Sequence, residues 1–190
     1  KATIITIPNS VTPSKTTSQL TNKKIINVGR ITKGKHQLLA VKAFYKITSK
    51  HPDWTMEFWG EENESPKYAK EVRELIEKLG LEKQVFLKGT TNNIQEKLLD
   101  SSIFLFPSES EGLPLSLLEA MSCGLPSIGR HDCPAVNTLI EHKENGLLCQ
   151  GTPDSVAEAL EYLISSTQER QRMGANARDK SLNFSPTIIW

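Results

Sequence analysis

Two stretches hold the side chains best suited to chemistry. The first, SESEGLPLSLLEAMSCGLPS, spans residues 108–127 and carries two carboxylates, Glu111 and Glu119, with seven residues between them. The second, GRITKGK, spans residues 29–35 and gathers Arg30, Lys33 and Lys35 around Gly29 and Gly34. Cations beside a helix start suit an anion such as phosphate, because free N–H groups and the helix dipole add to the side-chain charge. In the glutamate stretch Leu113 stands where a Ser, Thr, Asp or Asn would cap a helix, and Pro114 takes the first helical position. Gly112 permits close backbone approach, so the open N–H groups of that turn are left to a ligand phosphate. Glu119 falls one turn beyond Leu115 and Ser116, amid Leu117, Leu118, Ala120 and Met121. A carboxylate so placed can accept paired hydrogen bonds from a ribose diol.

Plainer readings compete with each of these. Lys33 and Lys35 also fit solubilising surface residues, with Arg30 paired to a nearby carboxylate. Ser116, Glu119, Ser122 and Cys123 fit the solvent stripe of an amphipathic helix, and Glu111 fits an exposed turn. His36, His51, His131 and His142 have no metal-ligand spacing, and Trp54 and Trp59 read as core. GRITKGK is neither G-x-G-x-x-G nor a P-loop, which counts against a dinucleotide cofactor and against Walker-type phosphoryl transfer. No Ser-His-Asp order or G-x-S-x-G elbow occurs.

Such residues need rigid elements to position them, and the chain supplies strand–helix units in tandem. KIINVG (24–29) precedes a helical pattern over 35–50, WTMEFWG (54–60) precedes 66–80, QVFLKG (84–89) precedes 93–100, and SIFLFP (102–107) precedes 114–122. Short strands follow at 126–129 and 146–149, with a helical turn around 135–142 and helices at 154–165 and 168–181. The expected fold class is α/β: a Rossmann-like, doubly wound parallel sheet of about six strands with helices on both faces. Ligands of such sheets sit at the carboxyl ends of the strands, where GRITKGK and PSESEGLP both lie. The opening KATIITIPNS is a short β-like run, and VTPSKTTSQLTNKK after it reads as a linker.

The 190 residues suffice for one substantial core. Twenty-three Lys and Arg against 22 Asp and Glu leave +1, so no global field recruits nucleic acid and any cationic site is local. Cys123, Cys133 and Cys149 fit reduced structural thiols in the cytoplasm rather than a disulfide framework. No apolar run approaches a membrane span.

VGRITKGKHQLLAVKAF, FPSESEGLPLSLLEAMSCGLPSIG and ENGLLC together resemble the C-terminal, donor-binding half of retaining glycosyltransferases of family four, which have the two-domain GT-B architecture. The resemblance includes the family's pair of glutamates separated by seven residues, Glu111 and Glu119 here. It implies that Arg30 and Lys35 neutralise the diphosphate of a UDP- or GDP-sugar donor, beside Gly29. It implies that Glu111 lies next to the donor sugar, with the amides of Gly112, Leu113 and Leu115 near sugar and phosphate. Glu119 then binds the ribose, and Thr90 lies near the nucleobase. Glu111, Arg30 and Lys35 are the implied catalytic groups, and no metal or other cofactor is expected. His36 departs from the pattern, since many relatives have Gly after the lysine.

The resemblance further implies that residues 1–23 are a hinge from an N-terminal acceptor domain, 24–182 the donor domain, and 183–190 the start of a terminal crossover helix. The chain is thus expected to bind donor but transfer nothing by itself. In a complete hexosyltransferase the acceptor would be a glycan or lipid-linked glycan, made in the cytoplasm or at the inner membrane face. Two alternatives are half of a non-hydrolysing nucleotide-sugar epimerase and a non-catalytic nucleotide-binding module of the same fold.

Overall fold

Each expected strand–helix unit forms where the apolar pattern puts it in the computed structural model of the chain, which describes residues 11–185. Strands β1 (Lys24–Val28), β2 (Thr55–Trp59), β3 (Val85–Gly89) and β4 (Ile103–Phe106) lead into helices α1 (Gln37–Tyr45), α2 (Pro66–Lys78), α3 (Ile94–Leu99) and α4 (Leu115–Ser122). There follow β5 (Ser127–Arg130), the short α5 (Pro134–Asn137), β6 (Gly146–Cys149), α6 (Pro153–Ser165) and α7 (Thr167–Leu182). The β-like run in KATIITIPNS and residues 186–190 of the expected crossover helix lie outside the described residues.

All six strands run parallel in the order β3-β2-β1-β4-β5-β6. Alternate residues feed two separate cores. Ile25, Met56, Phe58, Ile103 and Leu105 pack under α1, α2 and α6, whereas Ile26, Phe104 and Phe106 pack under α4, α5 and α7. Both faces of the central strands are therefore apolar, the pattern a parallel sheet covered on both sides requires. Strand order reverses between β1 and β4, and this is the switch point at which such sheets open a crevice.

Two features depart from the expected elements, each for a local reason. Lys33–Lys35 form a separate 3-10 turn, because His36 adopts a left-handed backbone (φ 54°) before α1 begins. The helical turn expected around 135–142 forms as the short α5 and ends at Asn137. There the Asn145 side chain accepts the Glu141 N–H and donates to the Leu139 carbonyl, taking backbone groups that a longer helix would use. Residues 11–23 are irregular until β1, as expected, yet closely fastened. The Ser18 N–H donates to the Cys123 carbonyl at 2.8 Å, and the Arg178 guanidinium donates to the carbonyls of Ser14 and Ser122 at 2.9 and 2.7 Å.

Candidate functional site

The pairing of Ile25 with Ile103 and Ile26 with Phe104 brings the carboxyl ends of β1 and β4 together, so the loops that leave them share one mouth. The β1 loop is fixed from below. Gly29 N–H donates to the Trp59 carbonyl, Ile31 N–H to the Glu61 carbonyl, and the fully buried Gln37 amide to the Arg30 carbonyl at 3.0 Å. Gly60 is required here, since a Cβ at that position would stand 2.0 Å from the Gly29 carbonyl oxygen.

Side chains from the two loops then meet. Lys35 forms an ion pair with Glu111, and its Nζ lies 5.6 Å from the centre of the Phe106 ring. Beside it, His36 Nε2 is 2.9 Å from Glu109 Oε2. Arg30 turns outward, with Nη1 donating to both carboxylate oxygens of Glu64 at 2.7 and 2.6 Å. Arg30 and Lys35 are thus each matched by a carboxylate of the protein. Lys33 is exposed and lines, with His36, Lys67, Tyr68 and Glu71, a neighbouring cavity of about 440 Å³.

The glutamate helix starts as open as the sequence suggests, one residue later. Pro114 is the cap residue of α4 rather than its first helical residue, and no side chain caps the turn. Asn93, Thr152 and Ser166 do cap α3, α6 and α7. Leu115 is a partial exception to the expected open turn, because its N–H bends back to the Leu113 carbonyl at 3.0 Å. Among the described residues, the N–H groups of Gly112, Leu113 and Ser116 meet no acceptor.

Glu119 is half-buried and its carboxylate has no hydrogen-bonding or ionic partner among the described residues. Burial pushes its carboxyl above the ordinary glutamate range. The solvent-stripe reading fails at its neighbours, since Ser122 and Cys123 are only 4% and 1% exposed. Thr90 stands exposed beyond β3, two strands from β1, and joins none of these contacts. The structure therefore gathers Gly29, Arg30, Lys35, Glu111, Gly112 and Leu113 around one switch point, with Glu119 a turn inside α4 and Thr90 apart. Sequence reasoning missed Glu64, Glu109 and Gln37, whose loop and helix-start positions carry no periodic signal. Among the described residues, no cluster of three His, Cys, Asp or Glu side chains could hold a metal ion, and no helix is long and apolar enough to cross a membrane.

Comparison with known proteins places this geometry. The profile of the family described as "Glycosyl transferases group 1" matches residues 10–180. An uncharacterized glycosyltransferase of Haemophilus influenzae is 33% identical over 178 residues, covering 93% of this chain and 49% of that protein. The chain spans about half the length, or less, of the curated relatives it matches. Among solved structures, the pneumococcal O-GlcNAc transferase GtfA in complex with UDP and GlcNAc superposes with a TM-score of 0.84 at 28% identity, covering 97% of this chain and 37% of that one. Anabaena HepE in complex with UDP-glucose gives 0.82 at 25% identity, covering 89% and 46%. The six-stranded parallel sheet with helices on both sides is that of the GT-B glycosyltransferases.

Proposed function

The chain belongs to the group 1 glycosyl transferases, and on that premise we propose that it binds the nucleotide-diphospho-sugar donor of a retaining, metal-independent hexosyltransferase. The observation that carries this reading is the meeting of Lys35 with Glu111, 76 residues apart in sequence, across the switch point of the sheet. It joins the basic loop to the glutamate loop where a diphosphate and its sugar would lie side by side.

In this reading the diphosphate displaces Glu64 from Arg30 and Glu111 from Lys35. The exposed Arg30–Glu64 pair is worth at most about 1 kcal/mol, so a doubly charged ligand competes with it easily. Arg30 and Lys35 then stabilise the negative charge that grows on the departing nucleotide as the glycosidic bond breaks. Glu111, released from Lys35, stands by the sugar, and the open amides of Gly112, Leu113 and Ser116 face sugar and phosphate. Glu119 accepts the ribose hydroxyls, which satisfies a carboxylate that otherwise lacks a partner, and Thr90 lies towards the base. In a whole protein of its relatives' length, an acceptor domain would bring a glycan or lipid-linked glycan to the same mouth, at the cytoplasmic membrane face. Transfer requires both substrates in one closed cleft, so the chain alone binds donor without turning it over.

Calorimetric titration with UDP, GDP and ADP and with their glucose derivatives tests the reading and names the base. Arg30→Ala and Lys35→Ala should each weaken the preferred ligand roughly 10- to 100-fold, the loss of a charge-assisted hydrogen bond to phosphate. Absence of nucleotide binding, or binding indifferent to both substitutions, would rule the site out.

A further inference from the structure

We propose that His36 and Glu109 form a latch that positions the β4–α4 loop, and with it Glu111, for the sugar of the donor; the inference rests on the donor-binding reading above.

Apart from Leu113, which packs on the second core, the loop has little else to hold it. From Ser108 to Leu113 no backbone N–H finds an acceptor among the described residues. Its grip on the rest of the mouth comes instead from two neighbouring side-chain pairs, Lys35 with Glu111 and His36 with Glu109. Lys35, the last residue of the 3-10 turn, and His36, which ends it, thus hold alternate residues of the loop. The first pair cannot persist when a diphosphate takes Lys35. The second involves no group assigned to the phosphates, so it can keep the loop in place while Glu111 is released.

The backbone of His36 supports a role for its side chain. The residue sits at φ 54° and ψ 37°, a conformation in which a side chain costs roughly 1 kcal/mol or more and which glycine adopts freely. Its N–H donates to the Lys33 carbonyl, and its own carbonyl accepts from Leu39 and Ala40, so this backbone both ends the 3-10 turn and starts α1. Glycine would serve that geometry better, and strained residues persist where the side chain has work that glycine cannot do. The imidazole reaches Glu109 on one side and borders the cavity of Lys33, Lys67, Tyr68 and Glu71 on the other. His36 is therefore a positioning residue, acting on the sugar through Glu109 and Glu111.

The test titrates UDP and UDP-glucose in parallel into the chain and its variants. His36→Gly and Glu109→Ala should each lower affinity for UDP-glucose roughly three- to tenfold, the effect of losing preorganisation of one loop, and weaken UDP distinctly less, since UDP lacks the sugar that Glu111 meets. The double variant should lose no more than either single one, and Glu109→Gln, which keeps an acceptor for the imidazole, should retain most of the wild-type affinity. His36→Gly should melt at the wild-type Tm or above it, which separates lost positioning from lost folding. Equal losses for UDP and UDP-glucose, additive losses in the double variant, or unchanged sugar binding would overturn the latch. Arg30→Ala distinguishes the two readings, because it should weaken both ligands even if the latch is wrong. A wild-type chain that binds neither would overturn both.

Discussion

At the scale of single residues, Arg30, Lys35 and Glu111 are charges already answered from within the protein, and Glu119 is not. Its half-buried carboxylate has no partner among the described residues, and burial holds its carboxyl above the ordinary glutamate range. The native state therefore keeps this proton longer than the unfolded chain does. As pH rises from the unfolded value through the raised one, the unfolded state ionises first and Glu119 subtracts stability; below that window it subtracts none. Glu119→Gln should accordingly gain stability over the wild type in urea unfolding at pH 7 and gain nothing at pH 4. Affinity for UDP-glucose should climb with pH across the same window in the wild type, since ribose hydroxyls donate to the ionised form, and stay flat in Glu119→Gln. The residues at the mouth were legible because their types and spacing form a pattern: Arg30 and Lys35 in a glycine-bounded loop, Glu111 and Glu119 around a helix start. Their ionic partners were not. Glu64 and Glu109 are loop carboxylates among many, and only the register of β1 with β2 and β4 decides which of them arrive.

At the scale of elements, the strands and most helices could be read from apolar spacing, because each lies on a sheet that must be covered on both faces. What escaped was where helices begin and end. The start of α1 depends on the backbone of His36, and the end of α5 depends on the Asn145 side chain eight residues downstream of Asn137; neither leaves a mark on hydrophobic periodicity. The open start of α4 was visible as a missing cap, although Pro114 proved to be the cap residue itself. This element carries its own test. Pro114→Ser would supply a side-chain acceptor to the first turn and should stabilise the ligand-free chain by about 0.5 to 2 kcal/mol in thermal or urea unfolding. The same hydroxyl would occupy N–H groups assigned to the ligand, so affinity for UDP-glucose should fall as stability rises. A variant that gained in both would show that the open turn is not part of the site.

At the scale of the whole molecule, two cores of different membership share one sheet, and the irregular segment from residue 11 to β1 is laced to the second of them. Arg178 of α7 donates to the carbonyls of Ser14, Thr16 and Ser122, joining that segment to α4. Arg178→Ala should cost about 1 to 3 kcal/mol through the carbonyls of Ser14 and Ser122 that it leaves without a donor, and hydrogen exchange at the Ser18 amide should quicken more than exchange in β1. Uniform quickening throughout the sheet would mean that the segment is integral to the core and not a strap upon it. The Val11 N–H donates to the Phe184 carbonyl at 3.0 Å, so the two limits of the described chain touch. Topologically the domain is therefore almost a closed ring: a short peptide could join residue 185 to residue 11, and new ends could be opened in an exposed turn far from the mouth, with the strand order left intact.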